Sequence, residues 1–394
     1  MKKKIYIPLL FIAAILILYS TLDTNTYIGR FFKWRASDIE DFKKFPSYDF
    51  KASTEPFYYV EKIHENLSNL EVNRSKKKRS ELFELLEDSG TTAFIIIKND
   101  TLIYEKYLNG YQRNSINTSF SVAKSITSLI TGITIDEHLI KSVNDPVIDY
   151  IPNLIKIDTT YKELRISDLM DMQSGIQFKD HDLPWGDKPK AYYKPKLRER
   201  ILELPLEHKP GLKFKYNSYN PILMGMIIEK VTNLPPATYF EKKIWNNLGM
   251  EYSGSWSMDS QNSGMTKMES GLNIRAIDFA KFGRLLLYEG HWNGNQLISK
   301  DWMNYSFAIS KDYKLPEFAH DLYYRNFWWI YANKKESEYE ITSIAGTGHL
   351  GQYLFVFPKE NIVIVRMGKH DKNVDSWRTV FYEIVNHLNN NRTY

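Results

Sequence analysis

AGTGHLGQYLFVFP, from Ala345 to Pro358, is the stretch that decides between two fold classes for this chain. Its glycines at positions 346, 348 and 351 match the Gly-x-Gly-x-x-Gly pattern of dinucleotide-binding proteins, which needs a strand before the glycines and a helix after them. Here the glycines lead into Gln352–Phe357, a run of β-branched and aromatic residues that a proline ends. Such a run predicts a strand. We therefore predict a different kind of site and no dinucleotide cofactor.

Strands are predicted near both ends of the chain, with helices between them. Ala93–Ile97 and Leu102–Leu108 flank a Lys-Asn-Asp turn and predict one hairpin. Gln352–Phe357 and Ile362–Gly368 predict a second hairpin, which an amphipathic helix in SWRTVFYEIVNHLN follows. Residues 140–290 are mostly helical in pattern. The sequence thus predicts an α+β fold, in which an antiparallel sheet formed by N- and C-terminal strands is flanked by helices and a mainly helical subdomain is inserted.

Composition excludes several classes of protein. The 394 residues are 43% hydrophobic and 25% charged, which is ordinary for a globular protein with a large core. The net charge is +5, and Lys2–Lys4 supply three of these charges, so the rest of the chain is not basic enough to predict a nucleic-acid partner. There are no cysteines, which excludes disulfides, thiolate nucleophiles and cysteine-ligated zinc.

The N-terminus carries a targeting signal. Lys2–Lys4 precede the uncharged segment Ile5–Leu22, which would span about 27 Å as a helix. The end of this segment is a poor cleavage site, so residues 1–22 are predicted to be an uncleaved signal anchor, with a cleaved signal peptide as the alternative. The lysines would lie in the cytoplasm and the rest of the protein outside, anchored or secreted. Residues 23–86 are interpreted as a connector and residues 87–394 as the main domain.

Ser121 and Lys124 begin the predicted helix SVAKSITSLITGITI and share one of its faces. A serine hydroxyl needs a base to act as a nucleophile, and a buried lysine can serve as that base. The same spacing occurs at Ser75 and Lys78, but there it lies in the basic run Arg74–Glu81, where the lysine would be solvated. The alternative for Ser121 is a helix-capping serine beside an exposed lysine.

Two later stretches carry further candidates. Tyr216 and Ser218 come just before another predicted helix, and a tyrosine beside a lysine can act as a general acid or base. His349 and Gly351 precede the strand 352–357, which is expected at a sheet edge where a backbone N–H could polarise a substrate carbonyl. The alternatives are a core tyrosine and a turn histidine. A loop rich in proline and lysine either walls the cleft or is solvated, and its aromatic residues are Trp185, Tyr192 and Tyr193.

Taken in order, these motifs resemble those of the serine β-lactamase and penicillin-binding-protein superfamily. The resemblance covers roughly residues 87–388 and is closest to the class C β-lactamase and esterase branch, which includes hydrolases of short nylon oligomers. The three stretches that are similar to family motifs are Ser121-x-x-Lys124, Tyr216-Asn217-Ser218 and His349-Leu350-Gly351.

The resemblance implies a β-lactamase/transpeptidase-like fold and a role for each motif. Ser121 would be the nucleophile, Lys124 its activating base, and Tyr216 a group that transfers protons. Substrate-binding residues would be Ser218, His349, Gly351 and Gln352, and the Gln352 N–H would be an oxyanion donor beside the Ser121 N–H. We expect neither a metal nor a cofactor.

Two departures from the family pattern bear on the substrate. Ser218 stands where β-lactamases have asparagine, and His349 where they have a lysine that helps to hold the β-lactam carboxylate. A histidine with an ordinary pKa near 6.5 is mostly neutral at pH 7. We therefore predict a serine hydrolase that cleaves small esters or amides through an acyl-enzyme. The alternative is a penicillin-binding-like protein that recognises cell-wall peptides, as a DD-peptidase or as a binder that turns over slowly or not at all.

Other hydrolase mechanisms match the sequence less well. A Gly-x-Ser-x-Gly elbow is missing, which argues against the α/β-hydrolase fold. The nine histidines are too far apart in the sequence for a His-x-x-x-His zinc motif. A triad of Ser121, His349 and an aspartate stays open, although it gives Lys124 no role.

Overall fold

The computed structural model describes residues 21–309, 321–336 and 338–391. In these ranges the α-helices are α1 (Tyr27–Trp34), α2 (Leu82–Asp88), α3 (Val122–Asp136), α4 (Ile166–Met170), α5 (Asp187–Tyr193), α6 (Leu197–Ile201), α7 (Tyr219–Thr232), α8 (Pro236–Lys243), α9 (Ala276–Leu287), α10 (Lys300–Phe307) and α11 (Trp377–Asn390). The strands are β1 (Ser47–Phe50), β2 (Val60–Glu61), β3 (Glu71–Ser75), β4 (Lys78–Glu81), β5 (Thr91–Lys98), β6 (Thr101–Tyr107), β7 (Asn117–Thr118), β8 (Gly254–Ser257), β9 (Leu272–Ile274), β10 (His291–Trp292), β11 (Asn295–Gln296), β12 (Leu322–Arg325), β13 (Trp328–Lys335), β14 (Glu338–Gly348), β15 (Gln352–Phe357) and β16 (Ile362–Gly368).

An eight-stranded sheet, in the order β12-β13-β14-β15-β16-β5-β6-β2, lies at the centre of the fold. The late strand β16 pairs antiparallel with the early strand β5, with Ile364 opposite Ile96. β5 and β6 form the predicted hairpin, and its turn residues Asn99 and Asp100 have φ values of 51° and 57°, as the tight turn of a hairpin requires. The prediction of a sheet built from strands near both chain ends is confirmed.

Helices cover both faces of this sheet. Along β5, Ile95 and Ile97 join a core that includes residues of α3 and α9, whereas Phe94 and Ile96 join a second core with residues of α2 and α11. Successive side chains of a strand point to opposite faces. Because both faces are covered, the run 93–97 is apolar at every position instead of alternating with polar residues.

The inserted region is helical, as predicted. Between β7 and β8 the described chain carries helices α3 to α8 and no named strand. A second sheet, in the order β1-β8-β9-β7, lies at the boundary of this region. Its strand β7 ends three residues before Ser121, and Ser119 N donates to Leu272 O in β9 at 2.8 Å. The small sheet therefore fixes the chain immediately before Ser121.

Two local expectations are wrong. β15 is an interior strand, not a sheet edge, because β14 pairs with its outer side. The segment with Tyr192 and Tyr193 is helix α5, not a loop; Tyr193 is buried and Tyr192 is half-buried. In both places the partner is a segment that the sequence analysis did not assign to regular structure, β14 in the first case and the chain around α1 in the second.

Residues 23–86, interpreted above as a connector, contain elements that pair with both sheets. β1 pairs with β8, and β2 pairs with β6. The basic run forms the hairpin β3–β4, in which Ser75 lies opposite Lys78. The predicted anchor Ile5–Leu22 lies, except for its last two residues, outside the described residues. Among the residues that are described, no helix has the length and apolar character needed to cross a bilayer.

Candidate active site

Ser121 and Lys124 are directly hydrogen-bonded at the start of α3. Lys124 Nζ lies 2.8 Å from Ser121 Oγ, and the lysine side chain is 1% exposed. The Ser121 side chain makes no helix-capping bond. The alternative of a capping serine beside an exposed lysine is therefore wrong. The amine is therefore shielded from solvent, while Ser121 itself is half-buried.

The backbone turns sharply just before Ser121. Phe120 has a φ of 48°, in the left-handed region that residues other than glycine rarely adopt, and its ring is buried. Such a conformation costs on the order of 1 kcal/mol or more and persists only where the surrounding packing holds it. Here it turns the chain from β7 into α3, with Ser121 at the corner.

Lys124 makes two further contacts. Its Nζ donates to Glu269 O at 2.8 Å and lies 5.1 Å from the centre of the Tyr216 ring. That ring stacks on Trp329, with centroids 6.0 Å apart and planes inclined by 15°. The structure thus brings together the three residues that the sequence analysis assigned to catalysis. It adds Glu269, which contributes a main-chain carbonyl and could not be found from side-chain motifs.

The glycine stretch lies directly against α3. A Cβ atom on Gly346 would lie 2.6 Å from Val122 Cγ1, and one on Gly348 would lie 2.4 Å from Ser119 O. Neither position has room for a side chain. A Cβ on Gly348 would also lie 3.3 Å from Ser121 N, so the end of β14 passes beside the backbone N–H of Ser121. Glycine is needed here because two backbone segments approach closely.

His349 contacts Phe120, the residue that precedes Ser121. The two rings meet edge to face, with centroids 5.4 Å apart. Burial lowers the pKa of His349 below its ordinary value of 6.5, and the carboxylates of Asp371 and Asp182 only partly offset this. The ring is therefore neutral at pH 7, as the sequence analysis expected.

Gly351 and Gln352 hold the turn between β14 and β15. Gly351 has a φ of 81°, and a Cβ there would lie 2.0 Å from the guanidinium of Arg366. Gln352 is fully buried, and its Nε2 donates to Gly368 O at 2.6 Å and to His349 O at 3.2 Å. The absence of a side chain at Gly351 and the amide of Gln352 thus both hold this turn against β16. The backbone N–H of Gln352 as an oxyanion donor stays a prediction.

The Tyr216-Asn217-Ser218 motif forms the entry to α7. The Asn217 amide is buried and donates to Ile176 O at 2.9 Å, while its oxygen accepts from Tyr219 N at 2.9 Å. Asn217 therefore fixes the loop. Ser218 is half-buried at the N-cap position and makes no side-chain cap bond. Its role in substrate binding stays a prediction.

No metal-binding cluster of three or more His, Asp or Glu side chains occurs among the residues that the structure describes. A Ser-x-x-Lys pair with a buried lysine at a helix start, beside an antiparallel sheet and across from a tyrosine, is the arrangement of a serine hydrolase. Residues 82–388 match the family model named Beta-lactamase, and the chain belongs to this family. The protein is accordingly a serine hydrolase of the β-lactamase superfamily.

Known proteins resemble this chain at modest identity. The 6-aminohexanoate-dimer hydrolase of Paenarthrobacter ureafaciens is 25% identical over 313 residues, which are 73% of this chain and 74% of that protein. A candidate D-alanyl-D-alanine carboxypeptidase of Salmonella typhimurium is 26% identical over 183 residues, but these span only 40% of this chain and 42% of the relative.

Solved structures share the fold. A candidate 6-aminohexanoate-dimer hydrolase from Bacillus anthracis superposes with a TM-score of 0.79 at 23% identity and covers 94% of this chain and 98% of its own. A penicillin-binding protein from Bacillus halodurans gives a TM-score of 0.60 at 15% identity, over 78% of this chain and 99% of its own. These likenesses establish the β-lactamase/penicillin-binding-protein fold that the sequence analysis expected.

Proposed function

We propose that the protein hydrolyses small esters or amides through an acyl-enzyme on Ser121. The observation that carries this proposal is the 2.8 Å contact between the buried Lys124 Nζ and Ser121 Oγ. A hydroxyl with a base held at hydrogen-bonding distance is an activated nucleophile.

In acylation, Lys124 accepts the Ser121 proton as Oγ attacks the substrate carbonyl carbon. Tyr216, whose ring lies beside the amine, passes a proton to the departing alcohol or amine, and Lys124 returns a proton to Tyr216. In deacylation a water molecule attacks the acyl carbon, its proton passes to Tyr216 as Tyr216 passes its own to Lys124, and Lys124 returns that proton to Ser121 Oγ as the acid leaves.

The developing oxyanion needs backbone donors. The Ser121 N–H is one of them, and we propose the hairpin that follows Gly348 as the source of the second, with the Gln352 N–H as the candidate from sequence. The close approach of Gly348 to Ser121 N supports a donor from this hairpin. Gly348 and Gln352 are direct partners across the two strands.

Two observations favour esters or amides over β-lactams. His349 is neutral at pH 7, so it offers no fixed positive charge to a substrate carboxylate. The Paenarthrobacter relative, which aligns over most of both chains, is named for hydrolysis of an amide dimer. We propose that Ser218 and His349 line the mouth of the site and contact the substrate.

The test is a substrate panel with two readouts. Purified protein is incubated with a p-nitrophenyl ester, the 6-aminohexanoate dimer, nitrocefin and a D-alanyl-D-alanine peptide, with Ser121→Ala as the matched control. We expect turnover of the ester or the amide and an acyl adduct that appears by intact mass in the wild type alone. Efficient turnover of nitrocefin would overturn the substrate assignment. A stable peptide adduct without turnover would favour the alternative, a protein that binds cell-wall peptides.

We also propose that residues 1–22 hold the protein at the membrane with the domain of residues 87–394 outside the cytoplasm. Three lysines before an uncharged segment of bilayer length support this orientation. Membrane fractionation and N-terminal sequencing test it. A mature chain that starts near residue 23 would replace the anchor with secretion, and an intact chain in the cytoplasmic fraction would refute both.

A further inference from the structure

A buried ion pair lies next to Lys124 and has no part in the chemistry described so far. Lys267 Nζ and Glu269 Oε1 are 2.6 Å apart, with side chains 1% and 3% exposed. Ser270 Oγ donates to the same carboxylate oxygen at 2.8 Å. Removing two charges from water is costly, and apolar residues in place of such a pair often leave stability unchanged or increase it. Stability alone therefore does not account for this pair.

Glu269 joins the pair to Lys124. Its carboxylate is held by Lys267 on one side, while its backbone oxygen accepts the hydrogen bond from Lys124 Nζ at 2.8 Å. The amine of Lys124 must stay directed at Ser121 Oγ, and a fixed acceptor for a second N–H of that amine holds it there. The bond from Lys267 anchors the Glu269 side chain and so restrains the Glu269 backbone oxygen, which is this acceptor.

The rings of Phe45, from the N-terminal part of the chain, and Tyr192 cover the Lys267 amine. Lys267 Nζ lies 4.8 Å from the centre of the Phe45 ring and 4.6 Å from that of Tyr192, and it donates to Tyr192 O at 2.7 Å. Aromatic faces stabilise a cation that has lost its water. Phe45 is buried and precedes the region 82–388 that matches the family. A segment outside the family match therefore contacts the support of Lys124.

We propose that Lys267 and Glu269, covered by Phe45, form a positioning pair that keeps Lys124 aligned with Ser121. This inference rests on the role proposed above for Lys124. Lys267, Glu269 and Phe45 act through Lys124 and do not contact the substrate. Their loss should therefore lower kcat and leave KM nearly unchanged.

The decisive variant replaces both charges at once. Lys267→Met alone leaves an unpaired buried carboxylate and is expected to unfold more easily, so it cannot separate folding from positioning. The double variant Lys267→Met/Glu269→Met removes the charges together and should keep a melting temperature close to that of the wild type. We expect its kcat to fall about 10- to 100-fold, as for a misplaced catalytic group, with KM within about twofold.

A conservative substitution of Lys267 is the control for the loss of its charge. Lys267→Arg keeps the charge and should retain most of the wild-type kcat. If the double variant is stable and keeps wild-type kcat, the positioning role is refuted. If it is too unstable to assay, Phe45→Leu decides the question, and wild-type kcat in that variant would refute the positioning role.

Phe45→Leu tests the contribution of the N-terminal segment. Leucine keeps an apolar side chain but removes the aromatic face above Lys267, and we expect kcat to fall about fivefold. Phe32→Leu is the matched control, since Phe32 lies in α1 and is half-exposed. Equal kcat in Phe45→Leu and Phe32→Leu would show that Phe45 does not contribute to the positioning of Lys124. Lys124→Ala separates the two proposals: full activity there refutes the proposed mechanism, whereas inactivity there with active pair variants refutes only this inference.

Discussion

Lys124 Nζ lies over the face of the Tyr216 ring, 5.1 Å from its centre, while the same nitrogen is 2.8 Å from Ser121 Oγ. The amine therefore has the serine on one side and the tyrosine on another. Stacking of Tyr216 on Trp329 keeps the ring in this position. This relationship makes Tyr216, and not His349, the proposed partner of Lys124 in proton transfer.

Tyr216→Phe should reduce kcat by about 10² to 10⁴, the range typical of a lost general acid or base. His349→Ala should act mainly on KM, because we propose that this neutral ring contacts the substrate and transfers no proton. Steady-state kinetics of both variants on one ester measure the difference. A larger kcat loss in His349→Ala would favour a histidine-based triad and would reassign the base.

Ser121→Ala should abolish ester hydrolysis without unfolding the protein. Loss of the nucleophile in a well-studied serine protease lowers kcat by about 10⁶. Ser75→Ala is the matched control, because Ser75 has the same Ser-x-x-Lys spacing but lies in the hairpin β3–β4. Wild-type turnover by Ser121→Ala would show that another residue is acylated.

Gly348→Ala should impair both stability and activity. The new methyl group would lie 2.4 Å from Ser119 O, so β14 or the chain before Ser121 must move. A displacement of about 1 Å at a reacting group can lower kcat about 100-fold. Gly294→Ala serves as the control: its methyl group would meet nothing within 4 Å, and its φ of 92° strains only a surface turn. Equal kcat values in the two variants would contradict the close approach of β14 to Ser121.

Acidification should destabilise the protein in part through His349. Burial lowers its pKa in the folded state, so below about pH 6.5 the unfolded chain takes up a proton that the folded protein resists. Stability therefore rises with pH through this window and is lost as the pH falls. His349→Gln should show a smaller drop in melting temperature between about pH 7.5 and about pH 5.5 than the wild type. His64 and His370 shift in the same direction but are unchanged in the variant, so the difference reports on His349.

The parts of the site that the sequence predicted are side chains at short, fixed spacings. Ser121 and Lys124 are three residues apart at a helix start, and that spacing alone places them on one face. The buried state of Lys124 could not be read in this way, because it depends on Glu269 and Tyr216 from distant segments.

Elements whose partners are distant in sequence were harder to predict. β14 mixes polar and apolar residues without a sustained strand-like alternation, so its pattern does not predict a strand, and β15 without this partner would lie at an edge. Lys267 and Glu269 look like an ordinary exposed charged pair in the sequence. Only the packing of Phe45 and Tyr192 around Lys267 shows that the pair is buried.

The pairing of β16 with β5 has a consequence for synthesis of the protein. Ser121 leaves the ribosome well before Gly346, Gly348 and the strand that pairs with β5, which lie more than 200 residues later in the chain. At typical translation rates this delay is on the order of tens of seconds. During that time the nascent chain carries the serine without the backbone that surrounds it. We therefore expect a product truncated before residue 346 to be inactive, because it lacks the backbone that lies beside Ser121.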